Sequence, residues 1–198
     1  MKKYIKSISE LNKLTLVSKD DEISRYAESD IHWATNKCSS FVNRKIAKGD
    51  IFQFEFGKNY VPEMSYEHRG MVIGSSGRLL YVLPIFSYNP SKYVGDKPCH
   101  IVDNPSSKSH YYLLKSSEFS FLHHDSIIKL NDIRTVSALR IKYSHSMKID
   151  CNSDTYKFIE KQVFAKYFGN ISYEYEQLKI ENQRLQEELN NIKTSKNI

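Results

Sequence analysis

No run of about 18 apolar residues, the length that crosses a membrane as a helix, occurs in this 198-residue sequence. The N-terminus, MKKYIKSISELNK, is basic but lacks the apolar stretch of a signal peptide. We therefore expect a protein that is neither secreted nor inserted in a membrane.

Cysteine is scarce: Cys38, Cys99 and Cys151 are odd in number and far apart. None of them has the short spacing of a zinc site, and an odd set does not complete a disulfide framework. Three free thiols are typical of a reducing compartment, so the sequence predicts a cytoplasmic protein.

Acidic residues are fewer than basic ones, 23 against 29, which leaves a formal net charge of +6 and a pI near 9.0. This excess favours an anionic partner, and nucleic acid is favoured over a membrane because no basic amphipathic anchor is evident. With 40% apolar residues the chain can form the core of one domain with appendages. The 14 tyrosines and 10 phenylalanines favour a β-rich fold or a ligand-contacting surface.

A three-stranded sheet is predicted between residues 48 and 89. Apolar and polar residues alternate from Ile51 to Phe56, as in a half-buried strand. Met71–Ile73 and Leu79–Leu83 are typical of buried strands. The intervening Gly74-Ser75-Ser76-Gly77-Arg78 tolerates positive φ, so the last two strands are predicted to form a hairpin.

Helical periodicity covers residues 7–41, and Ser18-Lys19-Asp20-Asp21 is expected to divide it into two helices. We expect Trp33, with Ile31 and the pair Phe41-Val42, to pack on the sheet. The alternative is that Trp33 stacks on a nucleic-acid base, as aromatic side chains do in single-strand binders.

Further elements are predicted after the sheet, on the evidence of short apolar runs and prolines. They are a long loop at 88–109, strands at 110–114, 119–122 and 127–130, a polar segment at 131–136, and a helix from Ser153 to Phe168.

The tail carries a heptad repeat. Apolar residues recur every seven positions in one series at Ile171, Leu178, Leu185 and Ile192, and a second series holds Phe168, Tyr175, Asn182 and Leu189. These series are the d and a positions of a coiled coil, and a single a-position asparagine favours two strands in register. The sequence predicts a parallel homodimer from about Phe168 to Lys193. The alternative is one amphipathic helix that folds back on its own domain.

Five sequence blocks resemble, in their order and spacing, the MazF/PemK toxins of type II toxin–antitoxin systems. The likeness is greatest to the longer branch that has an N-terminal helical extension. The blocks are KGDIFQFEFG from Lys48, Glu63, HRGMVIG from His68, LLYVLPIFS from Leu79 and LNDIRTVSALRI from Leu130.

The resemblance implies a mainly β fold with α extensions, built on an SH3-like, partly open β-barrel. The expected divisions are an N-terminal helical extension (1–46), the barrel (47–150), and a helix with the coiled coil (151–198). The implied activity is endoribonucleolytic cleavage of single-stranded RNA (mRNA) without metal or cofactor, by attack of a 2′-OH that leaves a 2′,3′-cyclic phosphate. A cognate antitoxin protein is the implied partner. The alternative is a non-catalytic binding module for nucleic acid or protein, held dimeric by its coiled coil.

Arg69 matches the family's arginine at the start of the second strand, and a guanidinium is suited to stabilising a phosphorane. His68 beside it is the candidate for proton transfer. Phe86 stands where the family has a catalytic threonine, so the resemblance assigns the hydroxyl to Ser87 or else implies slow cleavage or binding alone. The alternative for Arg69 is an ion pair with Glu63 or Glu67.

Substrate binding is expected at Glu63, Glu67, Arg134 and Thr135, with the last two matching a second RNA-contacting edge of the family. Asp132 and Arg134 are alternatively a pair that stabilises a strand end. His123-His124-Asp125 contains metal-ligand residue types, but adjacent strand residues face opposite sides, so no metal site is predicted.

Overall fold

Helices lie towards both ends of the chain and strands occupy its middle in the computed structural model, which describes residues 2–39, 45–92 and 97–196. Within these ranges the chain combines an antiparallel sheet with helical extensions, which is consistent with the predicted fold class. The helices are α1 Lys2–Leu16, α2 Asp20–Asn36, α3 Asp154–Tyr167 and α4 Gly169–Lys196. The strands are β1 Asp50–Glu55, β2 Glu67–Ser76, β3 Leu79–Ser87, β4 Tyr111–Leu114, β5 Ser126–Lys129, β6 Arg134–Ser137 and β7 Ile141–Lys148.

The strands pair antiparallel in the order β4-β5-β3-β2-β1-β7, and β6 also pairs with β3. One side of β3 therefore binds β2, while the other binds β6 along its first half and β5 along its last residues. A single 3₁₀ turn, Ala138–Arg140, separates β6 from β7, which pairs with β1. One turn thus connects β6, which pairs with β3, to β7, which pairs with β1 on the far side of β2. So short a connection requires the sheet to curl.

Two apolar clusters lie against the curled sheet. The cluster that includes Phe52, Phe54, Val72 and Val82 is formed mainly by strand residues, with Ala138 of the 3₁₀ turn and Phe56 just after β1. The second cluster includes strand residues such as Met71 and also takes in residues of α3. Because strand side chains alternate between faces, one set fills the first cluster and the other set meets α3.

The β2–β3 hairpin forms where it was predicted. Ser76 pairs with Leu79, so Gly77 and Arg78 make a two-residue turn, and Gly77 has a φ of 59° that glycine tolerates. Both strands extend beyond the apolar runs that indicated them. The extensions bring Arg69 and Ser87 into the sheet.

Helix α3 confirms the helix predicted for 153–168. Ser153 caps it, with its Oγ accepting a hydrogen bond from the Tyr156 backbone N–H at 3.2 Å. Ile159 and Val163 are buried against the second cluster. The helix therefore covers one face of the sheet.

Helix α4 continues the chain for 28 residues. The repeat residues stay uncovered, with Leu178 69% and Leu185 52% exposed. The alternative in which this helix folds back on its own domain is therefore wrong for the described residues. Helix α4 is tied to α3 near its start, where Lys161 Nζ lies 2.7 Å from Glu176 Oε1.

The N-terminal helices break at residues 17–19, as predicted. The expected packing of Trp33 and Ile31 is wrong, because the two side chains are 60% and 65% exposed. Helix α2 contacts the sheet through other residues: Ser29 Oγ donates to Glu55 Oε1 at 3.1 Å. Phe41 and Val42 lie outside the described residues.

Two other predictions need correction. Residues 119–122 form turns rather than a strand, and the segment 131–136, expected as the polar end of one strand, instead leads into a separate strand, β6; β7 was not predicted. None of the described helices combines the length and apolar character that a bilayer crossing requires.

Candidate active site

Arg69 is the third residue of β2, in register with Gln53 of β1 and Ile85 of β3. Its side chain is partly exposed. Within the described ranges its guanidinium makes no hydrogen bond or ion pair, unlike that of Arg134, which is engaged by carboxylates. Its five N–H donors are therefore available to an anion.

The carboxylates that were the alternative partners of Arg69 are committed elsewhere. Glu63 Oε2 lies 2.9 Å from Arg134 Nη1. Glu67 pairs with Lys142 of β7. Burial acts to lower the pKa of Lys142, but Glu67, together with Tyr143 and Glu55, raises it above its usual value. Arg69 thus pairs with neither Glu63 nor Glu67.

Ser87 and His124 form an exposed pair, with 2.8 Å between Ser87 Oγ and His124 Nε2. Ser87 ends β3 two residues beyond Ile85, the cross-strand partner of Arg69. Alternation places Ser87 on the same face as Arg69, and diagonal neighbours on antiparallel strands are about 7–8 Å apart. The guanidinium, hydroxyl and imidazole therefore lie on one face of the sheet.

The loop that carries His124 is anchored on both sides. Asp125 Oδ1 accepts hydrogen bonds from the Ser116 backbone N–H at 2.8 Å and from its hydroxyl at 2.9 Å. These two bonds hold the pKa of Asp125 below its usual range. Ser126 Oγ donates to the His124 carbonyl, and Tyr88 N–H donates to that of Asp125. The imidazole is thereby held beside the end of β3.

His68 is not brought together with Arg69. Adjacent residues of a strand point to opposite faces. Gly70, on the face of His68, has the Phe54 and Val82 side chains as its neighbours. Arg69 shares its face with Met71, a member of the other cluster. The position of His68 does not fit proton transfer at a phosphate held by Arg69, and its assigned role stays a prediction.

His68 lines a small cavity beneath α2, together with Arg25, Glu55 and Glu67. Burial lowers the pKa of its imidazole; Arg25 lowers it further, whereas the two carboxylates act in the opposite direction. His68 is therefore held towards its neutral form.

This environment predicts that acid weakens the fold partly through His68. Because the folded pKa lies below the unfolded value of about 6.5, the unfolded chain takes up the proton first. The stability linked to His68 is complete above the unfolded pKa and is lost as the pH falls towards the folded pKa. Urea unfolding should show that the free energy of unfolding of the native chain falls between pH 7 and pH 5, and that it falls less for His68→Gln. His123 is exposed, so His123→Gln is the matched control and should show the same fall as the native chain. Equal losses in all three proteins would contradict this assignment.

Phe86 points away from the candidate site. It neighbours Ser87 in the strand and so faces the other side, where its ring meets Tyr111 edge to face at 6.1 Å between centroids. It is half-buried. A packing role accounts for a phenyl ring at this position.

Arg134 is held by two carboxylates, Glu63 at 2.9 Å and Asp132 at 3.5 Å. Asp132 also accepts a hydrogen bond from the Met64 backbone N–H at 2.9 Å. The alternative prediction, in which Asp132 and Arg134 pair, is therefore confirmed. The pair also fastens the loop before β2 to β6.

Thr135 is exposed on β6 and pairs with Tyr81 at the opposite end of β3 from Ser87. Six residues of strand separate these positions, about 20 Å for an extended chain. Thr135 and Arg134 line a separate shallow cavity. The structure does not bring them together with Arg69 and Ser87, and their role in substrate binding stays a prediction.

One aromatic residue does lie near Arg69. Tyr143 of β7 pairs with Gln53, which in turn pairs with Arg69, so the three residues form one cross-strand row. Tyr143 is 57% exposed. Adjacent strands lie about 4.8 Å apart, which places this ring within about 10 Å of the arginine backbone.

Within the described ranges, no group of three or more His, Cys, Asp or Glu side chains is arranged to hold a metal ion. Neither a protein-family model nor a curated protein matches this sequence. The interpretation of the site therefore depends on its own geometry.

Proposed function

We propose that this chain is a metal-independent endoribonuclease of the MazF/PemK toxin type that acts on single-stranded RNA. One observation carries the proposal: Arg69 has an uncommitted guanidinium on the sheet face that also presents the Ser87–His124 hydrogen bond. This set contains a cation for phosphate, a polar hydroxyl and an imidazole, a side chain that serves as a general base.

In the proposed reaction His124 accepts the proton of a ribose 2′-OH, and the 2′-oxygen forms a bond to the adjacent phosphorus. The bond from phosphorus to the 5′-oxygen breaks, and the departing oxygen takes a proton from a water molecule, which recovers a proton from the His124 imidazolium. The products are a 2′,3′-cyclic phosphate and a 5′-OH. Arg69 donates two hydrogen bonds to the phosphate oxygens, whose charge grows in the transition state. Ser87 orients the imidazole through their shared hydrogen bond.

In this proposal His124 supplies the catalytic group that is missing because Phe86 stands in place of the family's threonine. A phenyl ring donates no hydrogen bond, so the family's threonine chemistry has no equivalent there. The exposed imidazole 2.8 Å from Ser87 Oγ supplies a proton-transfer group at the same strand end.

The SH3-like barrel and the family membership belong to the same proposal. A partly closed barrel is supported by the 3₁₀ turn between β6 and β7, because β6 pairs with β3 and β7 pairs with β1. The five sequence blocks fall on β1, the loop before β2, β2, β3, and the segment that runs from the turn after β5 through β6 to the start of β7.

The proposed partners follow from charge and from exposed apolar surface. The net charge of +6 suits RNA, and also an acidic segment of a cognate antitoxin that would compete with RNA for the Arg69 face. The uncovered stripe of α4 suits a second copy of the chain. Three free thiols fit a cytoplasmic location.

The test is incubation of the purified chain with a mixed-sequence single-stranded RNA in EDTA. We expect fragments that end in a 2′,3′-cyclic phosphate, identified by mass spectrometry. Intact RNA that is retarded in a gel shift would reject the nuclease and favour the binding module. Cleavage that EDTA abolishes would reject the proposed chemistry.

A further inference from the structure

A pocket of about 400 Å³ lies between α2, the end of β1 and the 3₁₀ turn. Its lining includes Trp33 and Asn36 of α2, Glu55 of β1 and Arg140 of the turn. We propose that this pocket binds a nucleobase of the RNA next to the scissile phosphate, and that it selects bases with an exocyclic amino group over uracil. This inference rests on the proposed nuclease function.

Trp33 supplies a stacking surface at the pocket. Its side chain is 60% exposed, although an indole on this helix was expected to pack on the sheet. The Lys37 ammonium lies over the ring, 4.3 Å from its centroid. The ring is thus positioned by a cation–π contact and remains open to a base, and base–aromatic stacking is a common mode of single-strand recognition.

Glu55 supplies the hydrogen-bond acceptor. Its side chain is only 4% exposed, and Oε1 accepts from the Gly57 backbone N–H at 2.8 Å and from Ser29 Oγ at 3.1 Å. No described residue donates to Oε2, and that oxygen is not sealed from solvent. A buried carboxylate with an unused oxygen is costly unless a donor reaches it.

The hydrogen-bond donor that Glu55 Oε2 lacks indicates which bases fit the pocket. A carboxylate only accepts hydrogen bonds, so it fits the amino groups of adenine, cytosine or guanine. Uracil has no amino group, and its N3–H lies between two carbonyl oxygens that repel a carboxylate. The pocket is therefore expected to discriminate against uracil.

The pocket is close enough to act on the same substrate as Arg69. Glu55 follows Gln53 by two residues, so they share a face about 7 Å apart along the strand. Gln53 is the cross-strand partner of Arg69. A nucleotide whose phosphate lies on Arg69 can thus place its base towards α2.

The sole tryptophan of the chain makes a direct test possible, because its fluorescence reports on Trp33. The probes are 2′-O-methyl tetranucleotides of adenosine, cytidine, guanosine and uridine, which lack the attacking 2′-OH. We expect saturable quenching by at least one amino-bearing probe, and binding of the uridine probe that is about tenfold weaker. Absence of quenching by all probes, or equal binding of the uridine probe, would overturn the proposal.

Glu55→Gln separates base selection from a role in folding. Its amide carbonyl keeps the hydrogen bonds from Ser29 and Gly57, while its amino group donates to the uracil carbonyl. The preference should shift towards uridine, which loss of folding would not produce. Glu160→Gln, at an exposed salt bridge with Lys48, should keep the native preference. An unchanged preference in Glu55→Gln would overturn the assignment.

The two proposals fail separately. Base-selective quenching by a chain that leaves RNA intact rejects the nuclease and keeps the pocket. RNA cleavage by a chain whose Trp33 responds to no probe keeps the nuclease and rejects the pocket.

Discussion

Replacing Arg69 with alanine is expected to lower the rate of RNA cleavage by about 100- to 1,000-fold, the usual loss when a donor to a developing oxyanion is removed. Arg69 is the described arginine on this face whose guanidinium has no carboxylate partner, so truncation should leave the fold intact. A single-turnover assay on labelled single-stranded RNA in EDTA measures the loss. Circular dichroism and thermal unfolding measure the fold.

Two further variants sharpen this test. Arg69→Lys keeps the charge but not the paired hydrogen bonds, so an intermediate rate is expected. Arg184→Ala removes an exposed arginine of α4 that pairs with Glu181, and it should cleave at the native rate. Native activity in Arg69→Ala would reject Arg69 as the phosphate ligand.

The assignment of the proton-transfer group is tested in the same assay. His124→Ala should lose about 100-fold or more, because general acid–base catalysis commonly contributes that much. His68→Gln should cleave much as the native chain does at pH 7, since strand alternation places His68 on the opposite face from Arg69. The reverse result would restore the prediction made from sequence and reject His124.

The sequence predicted the elements whose signals are local. The break between α1 and α2, the β2–β3 turn at Gly77 and the Ser153 cap of α3 depend on a few neighbouring residues. Turn and cap chemistry of this kind is readable without knowing what packs on it.

The site was only partly predictable, because its contacts join distant segments. The sequence identified Arg69. Its guanidinium has no carboxylate partner because Glu63 pairs instead with Arg134, which is 71 residues further along the chain. The Ser87–His124 contact spans 37 residues and exists because β5 pairs with the end of β3. Polar residues at two strand ends were the available signal, but only a known strand order makes them neighbours.

Trp33 shows the same limit for a helix. Periodicity identified α2, but the charged and polar residues on it did not reveal which stripe faces the sheet. Ser29, a small polar residue, makes the buried contact with Glu55, and the larger indole remains outside. Hydrophobicity alone favoured the opposite arrangement.

Placing glutamate at both Leu178 and Leu185 is expected to convert a dimer into a monomer. These d-position side chains are more than half exposed in the single chain, so a partner helix can remove their surface from water. Burial of a leucine contributes about 1.5–3 kcal/mol, and each substitution replaces that gain with carboxylates that face each other in the seam. Light scattering after size exclusion should give twice 23.2 kDa for the native chain and the single-chain mass for the variant.

The matched control for the α4 seam adds the same charge to the outer surface of the helix. Gln177→Glu with Gln183→Glu changes the c and b positions, which face solvent in a two-stranded coil, and this variant should remain a dimer. Ending the chain at Gly169 removes α4 after its first residue and should also give a monomer. If the truncated chain stays dimeric, the coiled coil is rejected as the dimer contact, and that contact lies on the sheet or on one of the other helices.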